Sequence, residues 1–192
     1  MDALAILKAD HRSVEEKCVK YEALGRRALK SKADIVRDVI KALSIHALIE
    51  EQYVYPAIRD RVTEQNDDVL EALEEHHIVK WTLSELMDMT PDNERFDAKF
   101  TVLMENVRHH VKEEEKTLFP AVRIAFTKAE LQSLGETLEK GKAAAPSRPH
   151  PKAADEPPMN LVSSLIAKPM DAIRDAGESA VRQIRGGGSR KS

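Results

Sequence analysis

Several things are scarce in this 192-residue chain, and each scarcity excludes something. There is one cysteine, Cys18, so no internal disulfide framework can hold the fold, and a reducing compartment is expected. Aromatics make up only 4% of the residues, and glycines number seven, few for a turn-rich β architecture. Neither charge sign dominates: the formal net charge is -3, which provides no basic field to capture nucleic acid. No apolar run approaches the roughly 18 residues needed to cross a bilayer. The opening Met1-Asp2-Ala3-Leu4-Ala5-Ile6-Leu7-Lys8 lacks the basic stretch and long apolar stretch of a secretory signal. The expected address is therefore the cytoplasm.

What is present is helical patterning. Hydrophobic residues form 42% of the chain and charged residues 33%, enough for a core beneath a well-charged surface. Apolar residues recur at threes and fours, without strand-like alternation. The first stripe is Leu4, Leu7, His11, Val14, Cys18 and Tyr21. Ser31 with Asp34 looks like the capped start of a second helix, whose stripe is Val36, Val39, Leu43, His46, Glu50 and Tyr53. Asn66 is placed to cap a third, with Val69, Leu73, His76, Leu83 and Leu86. Thr90-Pro91 is a good start for a fourth, carrying Phe96, Phe100, Leu103, Val107, His110, Glu114 and Leu118. Thr127 and Glu130 open a short fifth helix that Gly141 can close. The predicted fold is all-α, an up-down-up-down four-helix bundle with a short fifth helix over residues 1–141.

Residues 142–158 are rich in proline and alanine and read as a linker. Residues 159–185 regain helical periodicity, an amphipathic helix tethered by that linker. Its apolar face needs cover, from its own bundle, a second copy, a protein partner or a membrane surface, the mixed signs of its polar face arguing against tight binding to anionic lipid. Residues 186–192 read as a disordered tail.

The apolar stripes are interrupted at their centres by polar side chains. His11, His46, His76 and His110 stand where core residues belong, and Glu50 and Glu114 follow a histidine by four positions. Residues i and i+4 stack on one helix face, so each pair presents an imidazole and a carboxylate to one interior point. A buried, uncompensated carboxylate costs several kcal/mol, on the order of the price of an unpaired buried charge. Bound cations relieve that cost, and four His with two Glu suit two divalent metals.

The arrangement is also doubled. His46-x3-Glu50-Glu51-x4-Pro56 returns as His110-x3-Glu114-Glu115-x4-Pro120, every mate 64 positions on. Asp10-His11 falls against Glu75-His76 within one residue of that offset. Two helix hairpins, each giving His and then His-x3-Glu, imply a pseudo-two-fold bundle with a site on its axis. Pro56 and Pro120 sit inside helical patterns and should bend or end their helices.

A lone histidine on a helical stripe is more often an ordinary core residue than a ligand. Here the joint recurrence, on matched stripes, favours metal. His77 competes with His76, which shares its stripe with Leu73, Leu83 and Leu86, and His109 competes with His110, which alone has the glutamate and the matched proline. Glu15 lies four after His11 but off the stripe, as surface charge or an added ligand. Glu51, Glu113 and Glu115 read as solvated or supporting carboxylates. Tyr53, one turn past Glu50, either packs or donates a hydrogen bond to a carboxylate. Cys18 reads as core.

On His11, His46-Ala47-Leu48-Ile49-Glu50, His76 and His110-Val111-Lys112-Glu113-Glu114, the chain resembles the hemerythrin-like family, in its branch with the His–His–Glu cation-binding domain, over about residues 1–140. The resemblance implies a non-haem di-iron centre in a four-helix bundle, with two bridging carboxylates, and ranks iron ahead of manganese or zinc. It implies a function of binding, storing, detoxifying or sensing iron and oxygen-derived ligands, O2, peroxide or NO, with peroxide decomposition or iron oxidation as the corresponding reactions. One departure stands out: oxygen-carrying hemerythrins have a second histidine four after the residue matching His76, where this chain has Lys80. A more open metal follows, and reversible oxygen carriage is disfavoured. Two other readings stay open: a metal-dependent sensor or adaptor signalling through residues 159–185, and a metal-free structural bundle.

Overall fold

The structure is a computed structural model and describes residues 1–151. The proposed helix at 159–185, the tail at 186–192 and linker residues 152–158 lie outside the described residues. Five helices follow one another: α1, Ala3–Glu22; α2, which runs as Leu29–Ile49, a π-helical turn Glu50–Val54, and Tyr55–Arg61; α3, Asn66–Asp88; α4, built as Phe96–Glu113, a π-helical turn Glu114–Leu118, and Phe119–Ala125; and α5, Lys128–Ala144. The all-α bundle is as expected, α1 to α4 forming its four long members. No helix among the described residues is long and apolar enough to cross a membrane.

Helix starts follow local chemistry, in places differently from expectation. Asp2 caps α1, accepting from Ala5 N at 2.8 Å. Thr127 and Glu130 form the full capping box of α5. Ser31 does not begin α2, because the Ala28 carbonyl already accepts the first helical bond, from Lys32 N at 2.9 Å. Asn66 does not cap α3: its Oδ1 accepts from Arg59 Nε at 3.0 Å, and a 3₁₀ turn over Thr63–Gln65 leads straight into the helix. Thr90-Pro91 lies in a loop of turns rather than in the first turn of α4, which starts at Phe96, the first side chain in that stretch with a core to enter. Gly141 does not stop α5, which completes another turn through Ala144.

The two prolines neither end nor sharply break their helices. Pro56 has no N–H for the Gln52 carbonyl and its ring crowds that carbonyl. The helix answers by widening into a π-turn just upstream, where Tyr55 N–H donates to the Glu50 carbonyl. Pro120 produces the matching turn, with Phe119 N–H donating to Glu114. Such turns are often placed at functional sites.

The core falls into two apolar clusters. One gathers Leu4, Leu7, Ile49, Tyr55, Ile58 and Phe119 with Leu131 and Leu138 of α5. The other gathers Val14, Cys18, Tyr21, Val39, Leu83, Phe100 and Leu103. Between them lies a layer of buried polar side chains. Cys18 is core, as expected, and burial pushes its thiol up to about 11.

Helix α5 packs along one flank of the bundle, against α1 and α2, through glycine. A Cβ at Gly135 would stand 2.3 Å from the Met1 carbonyl oxygen and 3.0 Å from Ala3 N; one at Gly141 would stand 2.6 Å from the Tyr53 ring. Gly135→Ala should therefore lower stability by about 1–3 kcal/mol, although alanine is the better helix former. Urea denaturation checks this, and a variant as stable as wild type or more so would contradict the close approach.

Candidate metal centre

The six expected residues meet in the polar layer, all buried, with Glu50 wholly inaccessible. Helix α1 supplies His11, α2 His46 and Glu50, α3 His76, and α4 His110 and Glu114. Both glutamates stand at the first position of a π-turn. His11 Nε2 and His46 Nε2 face each other at 3.1 Å, and so do His76 Nε2 and His110 Nε2. Two imidazole nitrogens so placed are favourable only around a shared proton or a cation. Glu50 Oε2 lies 3.1 Å from His46 Nε2 and 3.5 Å from His76 Nε2, so it reaches both histidine pairs. Glu114 Oε2 lies 3.3 Å from His11 Nε2 and 3.6 Å from His110 Nε2, and it too reaches both. The donor atoms sort into two groups, His11, His46, Glu50 and Glu114 in one, Glu50, His76 and His110 in the other.

Each histidine is backed by a carboxylate at its outer nitrogen. His11 Nδ1 meets Glu115 Oε1 at 2.9 Å, and its mate His76 Nδ1 meets Glu51 Oε1 at 3.0 Å. His110 Nδ1 meets Glu75 Oε2 at 2.6 Å. His46 Nδ1 faces Asp10 Oδ2 at 3.6 Å, beyond hydrogen-bond reach and the loosest of the four. A carboxylate behind Nδ1 holds the N–H there and turns the Nε2 lone pair inward, as metal-bound imidazoles require. The pairing obeys the sequence repeat, Asp10 corresponding to Glu75 and Glu51 to Glu115.

Lys80 does not face the metal donors. Its Nζ lies 2.9 and 3.1 Å from the two oxygens of Glu51, so it fixes the carboxylate that orients His76. Lys142 of α5, at the start of the expected linker, similarly holds Asp10 at 2.5 Å. Of the competing residues, His77 is half-buried and accepts from Trp81 Nε1 at 3.0 Å, and His109 is exposed. Glu15 and Glu113 are exposed, Glu15 bound to Arg108.

The tyrosine beside the site is Tyr55, not Tyr53. Tyr55 Oη donates to Glu114 Oε1 at 2.9 Å, while Tyr53 packs against the core and beside Gly141. The π-turn is the reason: it stacks residue i+5, rather than i+3 or i+4, over Glu50. The only advance signal was Pro56 inside a helical pattern. Burial and the Glu114 charge push the Tyr55 phenol well above its ordinary range, so it remains a donor. Its repeat mate is Phe119, which stacks on His11 at 5.8 Å and has no hydroxyl to give.

Electrostatics separate the two glutamates. Burial, then the Glu114 charge, pushes the Glu50 carboxyl well above its ordinary value. Burial acts the same way on Glu114, but His110 and His11 outweigh it and hold that carboxyl low. Burial pushes His46 down to about 4 and His76 well below its ordinary value, leaving neutral imidazoles with free lone pairs. For His110 burial is outweighed by Glu114 and Glu75, and its pKa is raised. Both oxygens of Glu50, and Glu114 Oε2, are buried without a hydrogen-bond partner. Such oxygens beside neutral imidazoles fit a pair of divalent cations.

Comparison with known proteins agrees with this geometry. Residues 2–122 match the Hemerythrin HHE cation binding domain. An uncharacterised hemerythrin-like protein of Schizosaccharomyces pombe is 30% identical over 137 residues, 71% of this chain and 68% of the relative. A DNA nickase of Nostoc sp. is 33% identical over 85 residues, 44% of this chain but only 24% of that protein. The crystal structure of a hemerythrin HHE cation-binding domain-containing protein from Mycobacterium kansasii superposes with a TM-score of 0.62 at 23% identity, covering 74% of this chain and 88% of that one.

The raised Glu50 carboxyl has a sign that can be measured. A group whose folded pKa exceeds its unfolded value contributes stability below the unfolded pKa and loses it as pH rises through the folded one. In metal-free protein at pH 8, Glu50→Gln should therefore be stabilising, by on the order of a few kcal/mol, with the gain shrinking toward pH 4.5. Denaturant midpoints in chelator test this; a destabilised variant at pH 8 would mean that Glu50 is satisfied without a cation.

Proposed function

Because the chain belongs to the hemerythrin HHE cation-binding family, we propose that it is a non-haem di-iron protein whose ions are held by His11, His46, Glu50, His76, His110 and Glu114, and that it binds a small oxygen-derived ligand, O2, peroxide or NO. The observation that carries this reading is Glu50, a wholly buried carboxylate without hydrogen-bond partners between two histidine pairs. A mixed imidazole and carboxylate donor set at a dry site suits iron, which when bound supplies redox and Lewis-acid chemistry toward such ligands.

The remaining residues orient, exclude and hold protons. Glu115, Glu51 and Glu75 keep the imidazole N–H groups pointed away from the site. Tyr55 holds a proton against Glu114 and stands 3.3 Å from His76 Nε2. Val14, Leu43, Val79, Val107 and Val111, with the four histidines, wall a small chamber. It has room for a single water-sized ligand and excludes anything bulky. Lys80, committed to Glu51, adds no nitrogen donor, so coordination positions remain for such a ligand.

Anaerobically purified protein should carry about two irons per chain and show an iron-to-oxygen absorption band after oxidation. Glu50→Gln with Glu114→Gln should abolish iron binding, and His76→Ala should reduce it where His77→Ala does not. Glu51→Gln should weaken binding about 10–100-fold. Zinc alone from iron-replete cells, or no metal, would overturn the assignment.

A further inference from the structure

We propose that an acidic cleft between the N-terminal half of α3 and the π-turn region of α4 is the route by which divalent cations reach the buried site. It rests on the reading of the six buried residues as a metal centre. Asp68, Glu71, Glu75 and Glu113 line the cleft, and the buried His110 and Glu114 form its floor. Among the described residues no ion pair engages Asp68, Glu71 or Glu113. The floor supplies a separate observation: Glu114 Oε2 is buried and accepts no hydrogen bond. Glu75 joins the two, since it is partly open to the cleft and its Oε2 already receives His110 Nδ1.

The repeat shows that this acidity is particular to one half of the molecule. The mates of Asp68, Glu71 and Glu113 are Ala3, Ile6 and Ile49. Those three are buried, and α5 lies over them, Gly135 against Ala3 and Gly141 near Ile49. One pseudo-equivalent face is thus apolar and covered, the other acidic and open. Acidic residues in the first turn of α3 favour the helix dipole, but that does not account for Glu71 in the second turn, or for Glu113 on another helix. A second opening, between α1 and α4, reaches His11 and is rimmed by Arg12, Arg108, Lys112 and Lys116 against Glu15, Glu115 and the Glu22 that also holds Arg108, a rim of small positive excess that does not attract a dication. Like-signed walls in a low-dielectric cleft focus the field and raise local cation concentration.

The test is stopped-flow uptake of Co²⁺ by the metal-free full-length protein at low ionic strength, read by the visible absorption of the bound ion. Asp68→Asn with Glu71→Gln and Glu113→Gln should slow uptake about tenfold and flatten its salt dependence, while reaching the wild-type stoichiometry. Glu113→Gln alone should slow it less. A control bearing Asp38→Asn, Asp92→Asn and Glu94→Gln, exposed carboxylates that do not line the cleft, should load at the wild-type rate. Uptake by the cleft variant at the wild-type rate, equal slowing in the control, or a lost equilibrium site would each overturn the route. Wild-type protein that takes up no Co²⁺ would instead overturn the metal-centre reading, and the route with it.

Discussion

Two carboxylates buried between four imidazoles set the terms for the rest of this molecule. Neither Glu50 nor Glu114 is tolerable as a bare anion in a core flanked by leucine, valine and phenylalanine. Histidines held with their protons outward cannot hydrogen-bond to every oxygen those glutamates present. The layer therefore calls for positive charge at its centre. Glu115, Glu51 and Glu75, hydrogen-bonded behind His11, His76 and His110, turn the lone pairs of those three, rather than their N–H groups, toward that point.

The π-turns are how an ordinary helix accommodates the layer. Each begins at a buried glutamate of the polar layer and ends just before the residue preceding a proline. The missing proline N–H makes the widened turn less costly than a regular one. The added residue per turn brings Glu50 and Tyr55 into one stack while leaving Glu51 beneath His76. A regular helix could not place all three. Proline is thus a device for changing the phase of a helix exactly where two successive acids must face different partners.

The doubling of the chain makes departures from symmetry informative. Tyr55 has a hydroxyl where Phe119 has none, so Glu114 is hydrogen-bonded and Glu50 is not. Glu51 is held by the buried Lys80, whereas Glu115 is partly exposed and has Lys8 at 3.7 Å. Helix α5 closes one flank and ties Asp10 through Lys142, while the flank related to it stays open and acidic. The six buried donors keep the repeat, as the proposed pair of ions would require. The surroundings depart from it because each half meets different neighbours.

Much of the architecture was legible in the chain itself. Periodicity within a helix states which side chains share a face, so the stripes, the bundle and the convergence of His11, His46, Glu50, His76, His110 and Glu114 could be read before any fold was seen. The repeat at 64 positions added the pseudo-two-fold relation. Helix starts were less legible, since Ser31, Asn66 and Thr90 have the chemistry of caps, but the backbone had other partners to choose. Only the tertiary structure decided that Tyr55 rather than Tyr53 meets the site, that Lys80 serves Glu51, and that α5 shields one flank. Those facts depend on helix phase after a π-turn and on which helices lie side by side. A linear pattern records distance along one helix and carries no direct record of what faces it across the core.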